Sequence, residues 1–382
     1  MSTEDSTIRP FLTFYDQLGF APTRQSLRTS SGHKTRRSFL YRQLGLPEFA
    51  ISGCDIIEFG PGSGENSEAL IALEPKSYTF VDGSEVVLKN LQERIAGSNF
   101  SQVELSFYSG DALDFSLAAQ YDLVVCEGLI PMQIHPKKVA RNVLDSVRIG
   151  GCVVLTCFDS VSAFSEIARR FIASTTFGDL VYTPKLIEEL VEFFSPDFNE
   201  LPGMTRRPKD WVLDSILNPW IGEFFSLEDA LDVGREDFDL LGTSPRILQD
   251  WRWYKDPSVQ ENTRGVEIAI HSYRKALPSL LDCRLSPYEA TQADDGGGLL
   301  ARTQEIAHLV REHISNGVVF EAADFGAKIK EMMDAAPFLD EKTTLSLRSL
   351  IGWAESGKVS DLSGFRALWG RGQQYISLVR HR

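Results

Sequence analysis

Residues 56–70 read IIEFGPGSGENSEAL: a hydrophobic run holding one acidic residue, three glycines at alternate positions, then a segment of helical character. Strand, glycine turn and helix in that order suit a nucleotide, because glycine accepts positive φ and lets the backbone approach a ligand without a Cβ in the way. The glycines are Gly60, Gly62 and Gly64. A dinucleotide fingerprint needs its third glycine at position 65, which is Glu65. A P-loop needs Gly-Lys followed by Ser or Thr, where this chain has Gly64, Glu65 and Asn66. A carboxylate directly behind the turn would also repel a pyrophosphate. The spacing argues against a dinucleotide, and a dehydrogenase is the weakest reading of the chain.

Outward from this turn, short apolar runs alternate with helical patterns between residues 55 and 157. The strand candidates are DIIEF (55–59), SYTFV (77–81), VELSFY (103–108), DLVVC (122–126) and CVVLTC (152–157). The segments between them carry apolar residues at helical spacing. Such alternation builds parallel strands with crossover helices, so the expected fold is α/β, a doubly wound and mainly parallel sheet. Ligands of these sheets lie beyond the carboxyl ends of the strands. FDLLGTSP (238–245) and the terminal GQQYISLVRHR also read as strands, the latter alternating Tyr375, Ser377 and Val379. The expected organisation is a basic helical cap over 1–52, a core with a substrate-side insertion over 53–245, a mainly helical insertion over 246–364, and a last strand within 365–382 that returns to the sheet.

Composition narrows the function classes. The chain has 382 residues, 43% hydrophobic and 24% charged, with 39 basic against 53 acidic residues and a net charge of −14. That balance disfavours a broad electrostatic grip on nucleic acid or on an anionic membrane. No apolar run approaches the ~20 residues that span a bilayer, and the first residues lack the layout of a signal peptide. The five cysteines form no C-x-x-C pair, so free thiols in a reducing cytoplasm are expected and no metal site.

Three acidic residues stand at the ligand-side ends of strands: Glu58 ends the first, Asp82 ends the second in FVDGS, and Asp111 follows the third in SGDALDF. A ligand with a ribose diol, an amino group and an adenine amine, but no phosphates, suits such a cleft, since carboxylates accept strong hydrogen bonds from hydroxyl and ammonium groups. IIEFGPGSG, FVDGS, SGDALDF and YDLVVCEGLIP together resemble the successive motifs of the class I S-adenosylmethionine-dependent methyltransferases, over roughly residues 53–159. The resemblance implies S-adenosylmethionine as cofactor. Glu58 and the Gly60, Gly62 and Gly64 turn would line its methionine moiety. Asp82 would hold the ribose hydroxyls. Asp111 would accept from the adenine amine, with the Ala112 amide beside it. Glu127 and Gly128 would face the sulfonium and the acceptor.

Methyl transfer is an in-line displacement, and an oxygen acceptor also needs a base within hydrogen-bond reach. His135, Glu127 and Asp159 are the candidates. The segment CEGLIPMQIHP lacks the N-P-P-[YFW] signature used for amide nitrogens of nucleic acid or protein. Basic residues gather in three places: between Asp16 and Glu48, which hold Arg24, Arg28, Lys34, Arg36, Arg37 and Arg42 with no acid between them; in TRRPKDW (205–211); and in PRILQDWRWYK (245–255). Arginine forks bind carboxylate and phosphate, and Trp faces stack on sugars, so Arg207, Trp211, Arg252 and Trp253 are candidate substrate residues for a small anionic or carbohydrate ligand. FYDQLGFAPTRQ, RRSFLYRQLGLP and GTSPRILQDWRWYKD are similar to a bacterial group of these methyltransferases often encoded among genes for surface polysaccharides and acidic sugars. The expected function is cytoplasmic O-methylation of a sugar, nucleotide-linked sugar or glycan precursor; homo-oligomerisation is compatible with it. The alternatives are N- or O-methylation of a small metabolite unrelated to sugars, and a non-catalytic cofactor-binding partner protein.

Overall fold

The computed structural model describes residues 10–22, 30–97, 100, 102–115, 120–201, 203–220, 222–255, 262–286 and 296–382. Arg24 and Arg28 of the first basic cluster lie outside them. The chain divides into two compact units. The first comprises Met1–Cys157, Gly222–Ile270 and Gln374–Arg382; the second comprises Phe158–Ile221 and His271–Gln373. The division therefore falls elsewhere than at the expected boundaries 245 and 364: the helical unit begins directly after the fifth strand and is itself interrupted by a return to the first.

The first unit is built on a seven-stranded sheet of order β3-β2-β1-β4-β5-β7-β6. Its strands are β1 (Asp55–Phe59), β2 (Ser77–Asp82), β3 (Glu104–Ser109), β4 (Tyr121–Cys126), β5 (Val147–Cys157), β6 (Phe238–Ser244) and β7 (Gln374–Arg380). The first five are parallel neighbours, and β7 runs antiparallel between β5 and β6. Strands β1 and β4 are buried along most of their length because both faces of a parallel sheet are covered. The final segment does return to the sheet, and Ser377 there donates its hydroxyl to the Leu44 carbonyl at 2.6 Å.

The helices of this unit that matter for the site are α1 (Pro10–Leu18), α2 (Ser30–Gln43), α3 (Glu65–Ile71), α4 (Glu85–Ala96) and α5 (Pro136–Asp145). Helix α4 begins where Ser84 accepts from the Val87 amide, and it buries Val87, Leu88, Leu91 and Ile95 on one face. Helix α5 starts with Pro136 in its first turn and buries Val139, Ala140, Val143 and Leu144. Ile56, Tyr78, Phe80, Leu91, Leu123 and Val154 belong to one hydrophobic cluster, which Tyr41 and Leu44 of the α2 region join.

The second unit is helical. Its first helix, α6 (Ser160–Phe177), packs with the helix Gly297–Asn316, and the helices Ala322–Asp334 and Glu341–Ser356 follow. A π-helical turn, Val212–Leu217, continues the short helix Pro208–Trp211. No described helix is long and apolar enough to cross a membrane.

Candidate active site

The glycine turn leaves β1 with Gly60, Gly62 and Gly64 all at positive φ, 68°, 55° and 82°. At Gly64 a Cβ would come within 2.4 Å of Leu91 Cδ1, and at Gly60 within 3.1 Å of Leu129 Cβ. Glycine is demanded there both by the backbone conformation and by space. Gly60 is tied to the next strand by its amide, which donates to the Val81 carbonyl at 2.8 Å.

Asp82 ends β2 half-buried. One of its oxygens, Oδ1, accepts from the Ser84 amide at 2.9 Å, and its second oxygen takes no hydrogen bond from any described residue. The Ser84 hydroxyl in turn donates to Asp16 of α1 at 2.7 Å. Burial pushes the Asp82 carboxyl up to about 6; the Ser84 amide opposes this and the negative charge of Asp16 adds to it. A carboxylate with an acceptor left over, at the end of the second strand, fits the ribose diol of S-adenosylmethionine. The ionised form is the better acceptor, so cofactor affinity is expected to be flat above pH 6 and to fall below it, by up to about tenfold per pH unit. Asp82→Asn should flatten this dependence, and Asp82→Ala should weaken binding by about 1–3 kcal/mol. Titration of the cofactor at pH 5 and pH 7.5 checks both; a wild-type affinity independent of pH refutes the assignment.

Asp111 follows β3 and accepts from the Leu113 amide at 2.8 Å, a turn that carries the buried Ala112 into the same edge. Asn142 of α5 donates to the Ala112 carbonyl at 3.3 Å and also to that of Leu113, which pins the turn.

Glu58 is only 2% exposed, and the Tyr78 hydroxyl donates to its Oε2 at 2.7 Å. Its carboxyl is thus tied to the neighbouring strand β2. Burial pushes this carboxyl up to about 7; Ser67 opposes that, Glu127 adds to it, and Tyr78 and Arg37 oppose it. A raised carboxyl lets the folded state keep a proton that the unfolded chain has released, so its cost is absent below pH 4.5 and grows as pH rises toward 7. Glu58→Gln is therefore expected to match the wild type in stability near pH 4.5 and to exceed it by about 3 kcal/mol at pH 8. Denaturant unfolding at the two pH values checks this; an equal difference at both refutes it.

Glu127, directly after β4, is held on three sides. Arg37 forms a buried ion pair with its Oε1, the Tyr41 hydroxyl donates to the same oxygen at 2.9 Å, and Asn66 donates to Oε2 at 3.1 Å. Side-chain exposures of 8% for Arg37 and 5% for Glu127 make this a desolvated pair. The negative charge of Glu127 raises the Arg37 guanidinium above its ordinary value against the opposing effect of burial. Arg37 and Tyr41 stand one helical turn apart on α2, so one face of that helix makes the clamp. Sequence reading placed Arg37 among residues awaiting an anionic ligand; the anion it meets is Glu127. The legible signal was the i, i+4 pairing of Arg37 and Tyr41 in a basic helix.

His135 is exposed and sits at the N-cap of α5 without a side-chain capping bond. The loop before it is clasped by the chain at 222–223: the Met132 amide donates to the Glu223 carbonyl at 2.8 Å and the Glu223 amide to the Gln133 carbonyl at 3.0 Å. Asp159 belongs to the second unit. It is 1% exposed and caps α6 by accepting from the Ser162 amide at 2.8 Å, a structural use of the side chain.

The candidate substrate residues fare unevenly. Trp211 is buried, edge-to-face with Phe194, Phe198 and Trp369, and its ring is spent on the core of the second unit. Arg207 is exposed there, at the N-cap of the short helix that contains Trp211. Arg252 pairs with Asp250 and Asp239. Asp239 lies opposite Val379, which lies opposite Cys152, then Leu123 and Ile56, so Arg252 sits at the edge of the sheet away from the glycine turn. The pairing of charges within the chain thus accounts for this cluster. Trp253 is 59% exposed beside it. Among the described residues, no group of three His, Cys, Asp or Glu could hold a metal ion.

Residues 57–153 match the family model of a methyltransferase domain. They span β1 to β5 and contain the turn, Asp82, Asp111 and Glu127. Residues 57–153 are a class I, S-adenosylmethionine-dependent methyltransferase domain. No curated protein matches the chain. Among solved structures, an S-adenosylmethionine-dependent methyltransferase from Clostridium acetobutylicum is 18% identical, over 28% of this chain and 43% of that one, with a TM-score of 0.24. A methyltransferase from Bacillus halodurans, so named without an assigned substrate, is 16% identical over 55% of this chain and 71% of that one, at 0.33. The N-methyltransferase NodS from Bradyrhizobium japonicum, solved with S-adenosylhomocysteine, is 19% identical over 38% and 74%, at 0.31. The chain spans less than half of the first of these, and scores of this size add nothing to what the residues of the methyltransferase domain themselves say.

Proposed function

We propose that the chain transfers a methyl group from S-adenosylmethionine to a hydroxyl oxygen of a sugar, nucleotide-linked sugar or glycan precursor in the cytoplasm. S-adenosylmethionine, when bound, supplies the electrophilic methyl. The turn at Gly60–Gly64 and Asp82 would orient it, and the clamp on Glu127 would hold one face of the reaction site fixed and dry, which is most of what an in-line displacement asks of a protein.

The observation that supports the acceptor class best is where the flanking segments lie. Two of the three stretches similar to the polysaccharide-associated group touch this domain, Asp16 bonding Ser84 beside Asp82 and Arg37 pairing with Glu127, and the third reaches α2, where Arg246 donates to the Arg42 and Gln43 carbonyls. The likeness to that group therefore extends to residues that contact Ser84 and Glu127, next to and among the proposed cofactor residues. His135, exposed on a clasped loop after β4, is the general-base candidate of this reading.

The test uses S-adenosylmethionine with a labelled methyl group, the protein and a bacterial extract, fractionated into small anionic sugars, glycan, protein and nucleic acid. Label in the sugar or glycan fraction is expected. Label confined to protein, nucleic acid or small molecules that are not sugars overturns the acceptor class.

A further inference from the structure

A pocket of about 230 Å³ lies between α2, the 3-10 turn Glu48–Ala50 and α3 with the residues that follow it. It sits against the end of α3 remote from the glycine turn. Its walls differ in character. One is apolar: Leu46, Ile51 and Leu70 are buried there, and Leu73 packs against the same cluster. The other is charged, with Lys34 and Arg37 three residues apart on one face of α2 and Glu48 at the start of the turn.

The fold does not take up all of this polarity. Lys34 and Glu48 are exposed, and neither side chain forms an ion pair or hydrogen bond with a described residue. Arg37 is buried, and its Nη2 donates to Glu127 and Tyr41. Its Nε is buried too and has no hydrogen-bond partner among the described residues. A buried guanidinium nitrogen left unsatisfied is destabilising, and proteins keep such groups where something else completes them. A lone water would satisfy the nitrogen but leave the apolar wall wet.

Size and charge define the occupant. A cavity of about 150 Å³ holds benzene, and drug-sized ligands take about 300 Å³ or more. The pocket therefore suits a metabolite a little larger than a benzene ring. Its apolar wall disfavours a sugar or a bare phosphate. The charge of Arg37 is balanced by Glu127, which leaves Lys34 and Glu48, one of each sign. A carboxylate accepts from Lys34 and from the Arg37 Nε, an ammonium donates to Glu48, and an alkyl chain covers the leucines.

We propose that this pocket binds a free α-amino acid with an apolar side chain, as a second ligand beside the cofactor and the methyl acceptor. The site does not depend on which acceptor the domain methylates.

The experiment is calorimetric titration of the full chain with L-leucine, in the presence of saturating S-adenosylhomocysteine so that the amino-acid moiety of the cofactor cannot be displaced. Leucine is expected to bind the wild type and to bind Lys34→Met and Glu48→Gln about tenfold more weakly, the effect of losing one charged hydrogen-bond partner. Isocaproate, which is leucine without its ammonium, should bind more weakly than leucine and be indifferent to Glu48→Gln. Both substituted residues are exposed, and an unchanged affinity for S-adenosylhomocysteine shows that the variants fold. Absence of leucine binding to the wild type overturns the proposal, as does undiminished binding to either variant. Isocaproate binding as tightly as leucine also overturns it, because Glu48 would then meet no ammonium.

Discussion

Arg37→Ala is expected to lower stability by about 3–5 kcal/mol, the usual cost of removing one partner from a desolvated ion pair. The variant leaves Glu127 with Tyr41 and Asn66 but no counter-charge, in a place where its side chain is only 5% exposed. S-adenosylmethionine binding should weaken as well, because Glu127 stands beside the glycine turn and would relax once released. A paired change, Arg37→Met with Glu127→Gln, should recover more than half of the lost stability, since it removes the stranded charge along with the pair. Denaturant midpoints of the single and double variants decide the matter. An Arg37→Ala protein within 1 kcal/mol of the wild type would mean that the pair behaves like a surface contact.

A comparable loss is expected in the second unit from Arg169→Met. Arg169 has no exposed surface. Its guanidinium donates to Asp197 and to the carbonyls of Ser165, Leu368 and Arg366, each at 3.0 Å, and it lies 3.7 Å from the centre of the Trp369 ring. Burial lowers its affinity for a proton and Asp197 restores part of it. Methionine fills much of the space but leaves three carbonyls without their donor, so about 3–5 kcal/mol should be lost. Arg366 would remain as the partner of Asp197. The measurement is unfolding followed by tryptophan fluorescence, since Trp211 and Trp369 both lie in this core. A midpoint unmoved by Arg169→Met would show that the hydrogen bonds contribute little beyond the volume of the side chain.

How much could be read in advance differs between the two units. The strands β1, β2, β4 and the second half of β5 were legible because most of their residues are buried and they appear as apolar runs, and the turn was legible because Gly60 and Gly64 have no substitute. Asp82 and Asp111 could be placed because strand ends are where such sheets keep their ligands. The burial of Glu58 was not legible: its carboxyl accepts from Tyr78, which lies two residues away from its register partner Phe80 on the neighbouring strand. Nor did the charge runs announce their partners. Arg37 meets Glu127, and Arg252 meets Asp239 and Asp250; in both cases the acid is supplied by folding, not by a ligand. Trp211 looked like a sugar platform because an aromatic ring beside arginines reads the same in sequence whether it faces solvent or a core.

Strand β7 has a consequence for how the molecule is made. It pairs with β5 on one side and β6 on the other, yet the whole of the second unit is encoded between β5 and β7. During synthesis, the facing edges of β5 and β6 must wait for residues 374–380 before their backbone groups are satisfied, while the residues of the helical unit are already made. Contacts so distant in sequence form slowly, and an unfilled gap between two strands invites another chain to fill it.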